Sequence, residues 1–171
     1  KSSSTLFALT KQWAGKISLG DCPLKEDDEP TYLGVTFDKR QTWKPHLQEA
    51  ETRARRKLAL MRKLAGSTWG ADERTLRTVY EGAVRPHLEY GSAAWSSASK
   101  STLQSVDKVQ NQALRLITGA MKTTPISAME KVTGVQPLQD RRNMKTLLQA
   151  EKFKCQLNHP MKAKVEGCTH N

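Results

Sequence analysis

One stretch limits the possible folds of this chain more than any other: Tyr32-Leu33-Gly34-Val35-Thr36-Phe37-Asp38-Lys39-Arg40-Gln41-Thr42-Trp43-Lys44-Pro45-His46-Leu47. Its first six residues are mostly β-branched, aromatic or aliphatic, which predicts a short buried strand. Gly34 within that strand predicts a bulge or the close approach of another backbone. Asp38 to Gln41 read as a polar turn, with Thr42 as a helix cap and Pro45 in the first turn, where its missing N–H costs little.

The helix that follows runs to about Ala65. Leu47, Ala50, Ala54, Leu58, Met61 and Ala65 recur at three- and four-residue steps and mark its buried stripe. Arg55, Arg56, Arg62 and Lys63 fall away from that stripe. Seven basic residues stand against Glu49 and Glu51, so the signs are expected to cluster rather than interleave. Such a face suits phosphate oxygens, and Lys44 extends it.

More helices are predicted downstream, giving a mainly α fold: a bundle of about four to five helices preceded by a small antiparallel β remnant. Gly66 to Gly70 break the first helix. Asp72 caps a second, Glu73 to Tyr90, which Pro86 should kink or stop near Val84. Trp95 pins the loop of residues 91–101. A third helix runs from about Thr102 to Thr118, capped by Gly119, with Leu103, Val106, Val109, Ala113, Leu116 and Ile117 inward and Gln110, Asn111 and Arg115 outside the stripe. Thr124-Pro125 opens a short helix that Gly134 ends. Pro137 opens the last, to about Leu157, with Leu138, Leu147, Leu148 and Phe153 as its apolar residues and Arg141, Arg142, Lys145, Lys152 and Lys154 exposed.

Ahead of the junction, Thr5–Leu9 and Ile17–Leu19 read as short strands, and residues 21–31 as an acidic, solvated loop. Removing residues 21–30, with five acids and one lysine, from totals of 28 basic and 17 acidic residues leaves a net of +15. That excess attracts polyanions. The longest apolar runs fall far short of a membrane span and no leader opens the chain, so the expectation is an intracellular protein of nucleus or cytoplasm, not secreted and not in a membrane. Three widely spaced cysteines make no disulfide framework. Cys155, His159, Cys168 and His170 form a weak zinc candidate, looser than paired structural zinc spacings.

Tyr-Leu-Gly-Val at 32–35, followed by Asp38, Trp43 and His46, resembles the end of the reverse transcriptase region of LINE-type (non-LTR) retrotransposons, in particular the jockey-like and I-like elements. The resemblance continues through Arg85-Pro86-His87-Leu88-Glu89-Tyr90-Gly91 with Trp95, then Val109 to Gly119, and Gly134-Val135-Gln136-Pro137-Leu138. It implies that residues 1–41 are the last strands of a polymerase palm, 42–157 a helical thumb, and 158–171 a tail or linker. It further implies a primer grip at Tyr32, Leu33, Gly34 and Val35, and nucleic-acid contacts from Lys44, Arg55, Arg56, Arg62, Lys63, Gln110 and Arg115. The implied partners are an RNA template, an RNA–DNA or DNA duplex, and the remaining palm and fingers.

Lys1 matches a family lysine associated with protonating the leaving pyrophosphate, though at the end of the chain it reads as an exposed lysine. Magnesium belongs to the complete polymerase. The family's Asp-Asp pair has no counterpart here, because Asp27-Asp28 sits in the acidic loop, so no cofactor is assigned within this chain and it is not expected to be active alone. The alternative is a stand-alone basic helical module, derived from such an element, that binds nucleic acid or protein.

Overall fold

The computed structural model describes residues 3–8, 17–66, 70–156 and 159–167. Six two-residue strands come first: β1 (Ser3–Ser4), β2 (Ser18–Leu19), β3 (Cys22–Pro23), β4 (Lys25–Glu26), β5 (Thr31–Tyr32) and β6 (Val35–Thr36). Helices follow: α1 (Lys44–Leu64), α2 (Glu73–Val79), a π turn (Tyr80–Val84), α3 (Arg85–Glu89), α4 (Lys100–Thr118), α5 (Ile126–Thr133), α6 (Leu138–Cys155) and α7 (Lys162–Gly167). The fold is mainly α with a small β portion, as the periodicities predict.

The β portion is not one sheet. β2–β3 and β5–β6 pair antiparallel and β1–β4 pair parallel, each as an isolated couple. The acidic stretch is therefore no free loop. It supplies β3 and β4, and Lys39 reaches Glu26 at 2.9 Å and Asp28 at 2.6 Å. Residues 5–8 form no strand, and the remainder of the expected first strand and its turn lies outside the described residues.

The run Tyr32–Phe37 is a hairpin rather than one strand. Thr31 faces Thr36, Tyr32 faces Val35, and Leu33 and Gly34 form the turn with φ of 49° and 77°. Two positive φ values define a type I′ turn, whose twist suits the flanking strands. Gly34 is thus a turn glycine, and its close neighbour is a ring, not a backbone: a Cβ there would stand 3.3 Å from Tyr90 Cε1. A bulky residue such as Leu33 rarely takes positive φ, so the sequence carried no ordinary turn signal.

Asp38, not Thr42, organises the start of α1. Its carboxylate accepts from the Thr42 backbone N–H and hydroxyl, each at 2.9 Å, and from the Trp43 N–H at 2.8 Å. Partial burial raises its pKa, but those hydrogen bonds outweigh it and hold the carboxyl below its usual range. Trp43 occupies the cap position in a left-handed conformation. Leu47, Ala50, Ala54, Leu58 and Met61 are buried along α1, as their spacing predicts.

Asp72 caps α2 by accepting from the Thr75 N–H at 3.1 Å. The helical run continues past Pro86 to Glu89, so the expected stop near Val84 does not occur. The π turn just before Pro86 sends the Arg85 N–H to the Tyr80 carbonyl, absorbing the register that the proline disrupts. Ser99 caps α4 at 3.3 Å, and Gly119 and Gly134 close α4 and α5 in left-handed conformations.

The core gathers Leu47, Leu58 and Met61 from α1 with Tyr80, Val84, Leu88, Trp95, Val106, Val109, Leu114 and Leu138. Full burial of one large apolar side chain contributes about 1.5–3 kcal/mol. Helix α6 is rotated relative to its expected facing. Leu138 and Arg142 are its buried residues, whereas Leu147 and Leu148 are exposed. Ion pairs from Arg141, Arg142 and Lys145 hold its first half.

Candidate nucleic-acid interface

The strand-to-helix junction packs against the loop that follows α3. Trp43 is buried and donates from Nε1 to Ser97 Oγ at 3.1 Å, with its ring 5.2 Å from that of Phe37. Trp95 is 1% exposed and donates to the Tyr90 carbonyl at 2.9 Å, so it pins its loop as expected. The Tyr90 hydroxyl in turn donates to the Leu33 carbonyl at 2.7 Å. Gly91 has φ of 65°, and a Cβ there would meet Val35 Cγ2 at 3.0 Å. The β5–β6 tip is therefore held from below while Tyr32 and Leu33 stay 70% and 74% exposed. Of the four expected primer-grip residues, only Val35 is buried.

His46 joins the same junction. Its Nδ1 accepts from the Thr36 N–H at 3.4 Å, which selects the neutral tautomer protonated on Nε2. Burial pushes its pKa below the usual value.

On α1 the signs do interleave along part of the helix. Arg53 pairs with Glu49, and Arg55 pairs with Glu51 at 2.8 Å and donates to Gln112 at 3.3 Å. Arg55 is thus partly committed within the protein. Lys44, Arg56, Arg62 and Lys63 are exposed and have no carboxylate partner among the described residues. Arg62 and Lys63 occupy the last turn, where positive charge also complements the helix dipole.

Gln110 is not at the surface. It is 2% exposed, accepts from the Tyr80 hydroxyl at 2.5 Å and donates to the Gln136 carbonyl at 3.2 Å. Burial pushes the Tyr80 phenol well above its ordinary pKa, so it stays a donor. The buried side of α4 is wider than the predicted stripe and includes both Gln110 and Leu114. Arg115 is half-buried and donates to the Asn111 and Lys122 carbonyls at 3.3 and 3.4 Å, tying down the α4–α5 connection.

Sequence reading missed the ion cluster under α6. Glu89 is buried and meets Arg141, through Nε and through Nη2 at 3.1 Å, Lys145 at 2.6 Å and Arg85 at 3.8 Å. Burial alone would raise its pKa, but the bonds from Arg141 and Lys145 outweigh it and lower the carboxyl. Arg142 grips Asp107 with two bonds of 2.7 and 3.2 Å and is itself buried, contrary to its expected exposure. The Arg85–Glu89 spacing of four was visible in the sequence; the partner 52 residues away was not.

The weak zinc candidate gains no support. His159 Nδ1 accepts from the Met161 N–H at 3.1 Å and its ring stacks on Phe153 at 4.3 Å, Cys155 is exposed, and Cys168 and His170 lie outside the described residues. Lys1 also lies outside them. Among the described residues no group of three His, Cys, Asp or Glu side chains is placed to hold a metal ion. Asp28 is engaged by Lys39 and Asp27 accepts from the Glu29 N–H, so this pair does not fit the magnesium of a polymerase site. No described helix is long and apolar enough to cross a membrane.

Comparison with known proteins finds relatives of one kind, RNA-directed DNA polymerases of non-LTR retrotransposons, at 27–34% identity. A probable RNA-directed DNA polymerase from transposon X-element of Drosophila melanogaster is 29% identical over 70% of this chain and 13% of its own length. The corresponding protein from transposon BS of the same organism is 34% identical over 60% of this chain and 11% of its own length. A Pol polyprotein from the type-1 retrotransposable element R1 4 of Nasonia vitripennis is 28% identical over 72% of this chain and 31% of its own length. The chain thus spans between 11% and 31% of these relatives. No family model matches it, and no solved structure does.

Proposed function

We propose that this chain is the nucleic-acid-holding segment of a non-LTR retrotransposon reverse transcriptase. In this reading residues 1–41 are the palm edge, 42–157 the thumb and 158–171 a tail or linker. The catalytic magnesium is bound by carboxylates elsewhere in the polymerase. The β5–β6 tip, with Tyr32 and Leu33 outward, serves as the primer grip. Helix α1 tracks the backbone of the template–primer duplex without reading its sequence.

The observation that carries this reading is the exposed set Arg56, Arg62 and Lys63, on a helix whose opposite stripe is locked into the core. These cations have no carboxylate among the described residues to satisfy them, and phosphate oxygens supply the complementary charge. Each phosphate neutralised contributes roughly −0.9 to the slope of log K against log salt on duplex DNA. Changing Arg62 and Lys63 to Gln should therefore flatten the slope on an RNA–DNA hybrid by about one to two units while leaving the circular dichroism spectrum intact. An unchanged slope with an intact helix would mean that these charges only solvate the face.

A further inference from the structure

Helix α6 is fastened along its first half and stands away along its second. Leu138 enters the core, Arg142 grips Asp107, and Arg141 and Lys145 grip Glu89. Beyond Lys145 a cavity of about 640 Å³ separates α6 from the loop of residues 90–94. Tyr90, Leu148 and Phe153 supply apolar and aromatic wall, and Lys145 and Lys152 supply charge. Phe153 is backed by the stacked ring of His159. The one carboxylate in the lining, Glu89, already meets three cations, so the cluster carries excess positive charge even before Lys152 is counted. Among the described residues Lys152 has no carboxylate partner, whereas Lys154 has Glu151.

We propose that this groove binds an unpaired nucleic-acid strand, distinct from the duplex tracked by α1. The inference rests on the polymerase reading and adds a second, single-stranded substrate class. Three observations converge on it. The size falls within the roughly 300–1,000 Å³ of pockets that take small molecules, so it admits single nucleotides and not a duplex. Aromatic faces beside lysines are how sequence-tolerant single-strand sites are built, with bases stacking on the rings and phosphates meeting the cations. Tyr90 is shared: the residue lines the groove, and its hydroxyl holds the exposed hairpin tip. The groove and the hairpin tip thus adjoin at Tyr90, where an unpaired strand leaving the duplex would enter.

The test uses the full 171-residue chain and fluorescence anisotropy with three probes: a short labelled oligouridylate, a blunt RNA–DNA hybrid, and the same hybrid with a single-stranded overhang. Phe153→Ala should weaken the oligouridylate about tenfold, in line with the stacking worth of one base, and Phe153→Trp should restore it. Lys152→Gln should weaken it several-fold and reduce its salt dependence. Both variants should abolish any advantage of the overhang and leave the blunt hybrid unchanged. Unaltered oligouridylate affinity in Lys152→Gln and Phe153→Ala would overturn the proposal, as would equal losses on all three probes. Displacement of the oligouridylate by a neutral peptide but not by unlabelled RNA would assign the groove to protein instead. The duplex reading stands or falls separately, on the blunt hybrid with Arg62→Gln and Lys63→Gln.

Discussion

Replacing Glu89 by Gln removes one negative charge from a site where a buried carboxylate holds three cations. Deleting one partner of a buried ion pair commonly costs about 3–5 kcal/mol, because the remaining charge is left uncompensated. Here the loss should fall at the low end. Arg85 retains Glu81 at 3.2 Å, Arg141 retains Gln136 at 3.5 Å, and Lys145 is 41% exposed and can return to water. We therefore expect a loss of about 3 kcal/mol. For a domain of this size that lowers Tm by about 6–12 °C. The pH dependence gives a second readout. Glu89 has a folded-state pKa below its unfolded value of 4.5, so its contribution is present above that value and is lost as pH falls through the folded pKa. Wild-type stability should drop across that acid range and the variant's should drop less. Urea unfolding followed by circular dichroism, from neutral pH down to about pH 3, measures both. A cost below about 1 kcal/mol, or identical acid profiles for the two proteins, would refute the view that this cluster holds α6 to the body.

Gly34→Ala should cost about 1–2 kcal/mol from left-handed strain, with Gly34→Val worse because the Tyr90 ring would have to move from 3.3 Å; equal melting of Gly34→Val and wild type would count against the hairpin placement. Tyr90→Phe keeps the ring under the tip but loses its bond to Leu33, a net loss of about 1 kcal/mol, which thermal melting should detect. Burial lowers the His46 pKa, so stability should be full above its unfolded value of about 6.5 and fall as pH drops through the folded value; melts at neutral and mildly acidic pH should show this, and His46→Gln should flatten it. The chain alone should extend no primer in magnesium, and nucleotide incorporation by the purified protein would refute the placement of the catalytic carboxylates outside it.

The sequence by itself determined whatever depends on near neighbours along the chain. The stripe Leu47, Ala50, Ala54, Leu58 and Met61 is a consequence of helical period, and Asp72, Gly119 and Gly134 mark helix ends through local capping chemistry, so all were legible. So was the net charge that favours polyanions. Tertiary structure alone decided which groups stand opposite one another. Gln110 and Arg142 are polar residues that a sequence reading places in water, yet Tyr80, Gln136 and Asp107, distant in the chain, give them partners that offset the cost of burial. Leu147 and Leu148 stay exposed although apolar, while Arg141, Arg142 and Lys145 find carboxylates at Glu89 and Asp107 that spacing alone does not reveal. Gly34 is a turn residue, not a strand centre: Leu33 takes a backbone conformation its own side chain disfavours, and its carbonyl accepts from the distant Tyr90 hydroxyl. A hydrogen bond or ion pair is directional and needs its particular partner, whereas hydrophobic periodicity needs only a side to face; the second is written in spacing, and the first appears only when the chain has folded.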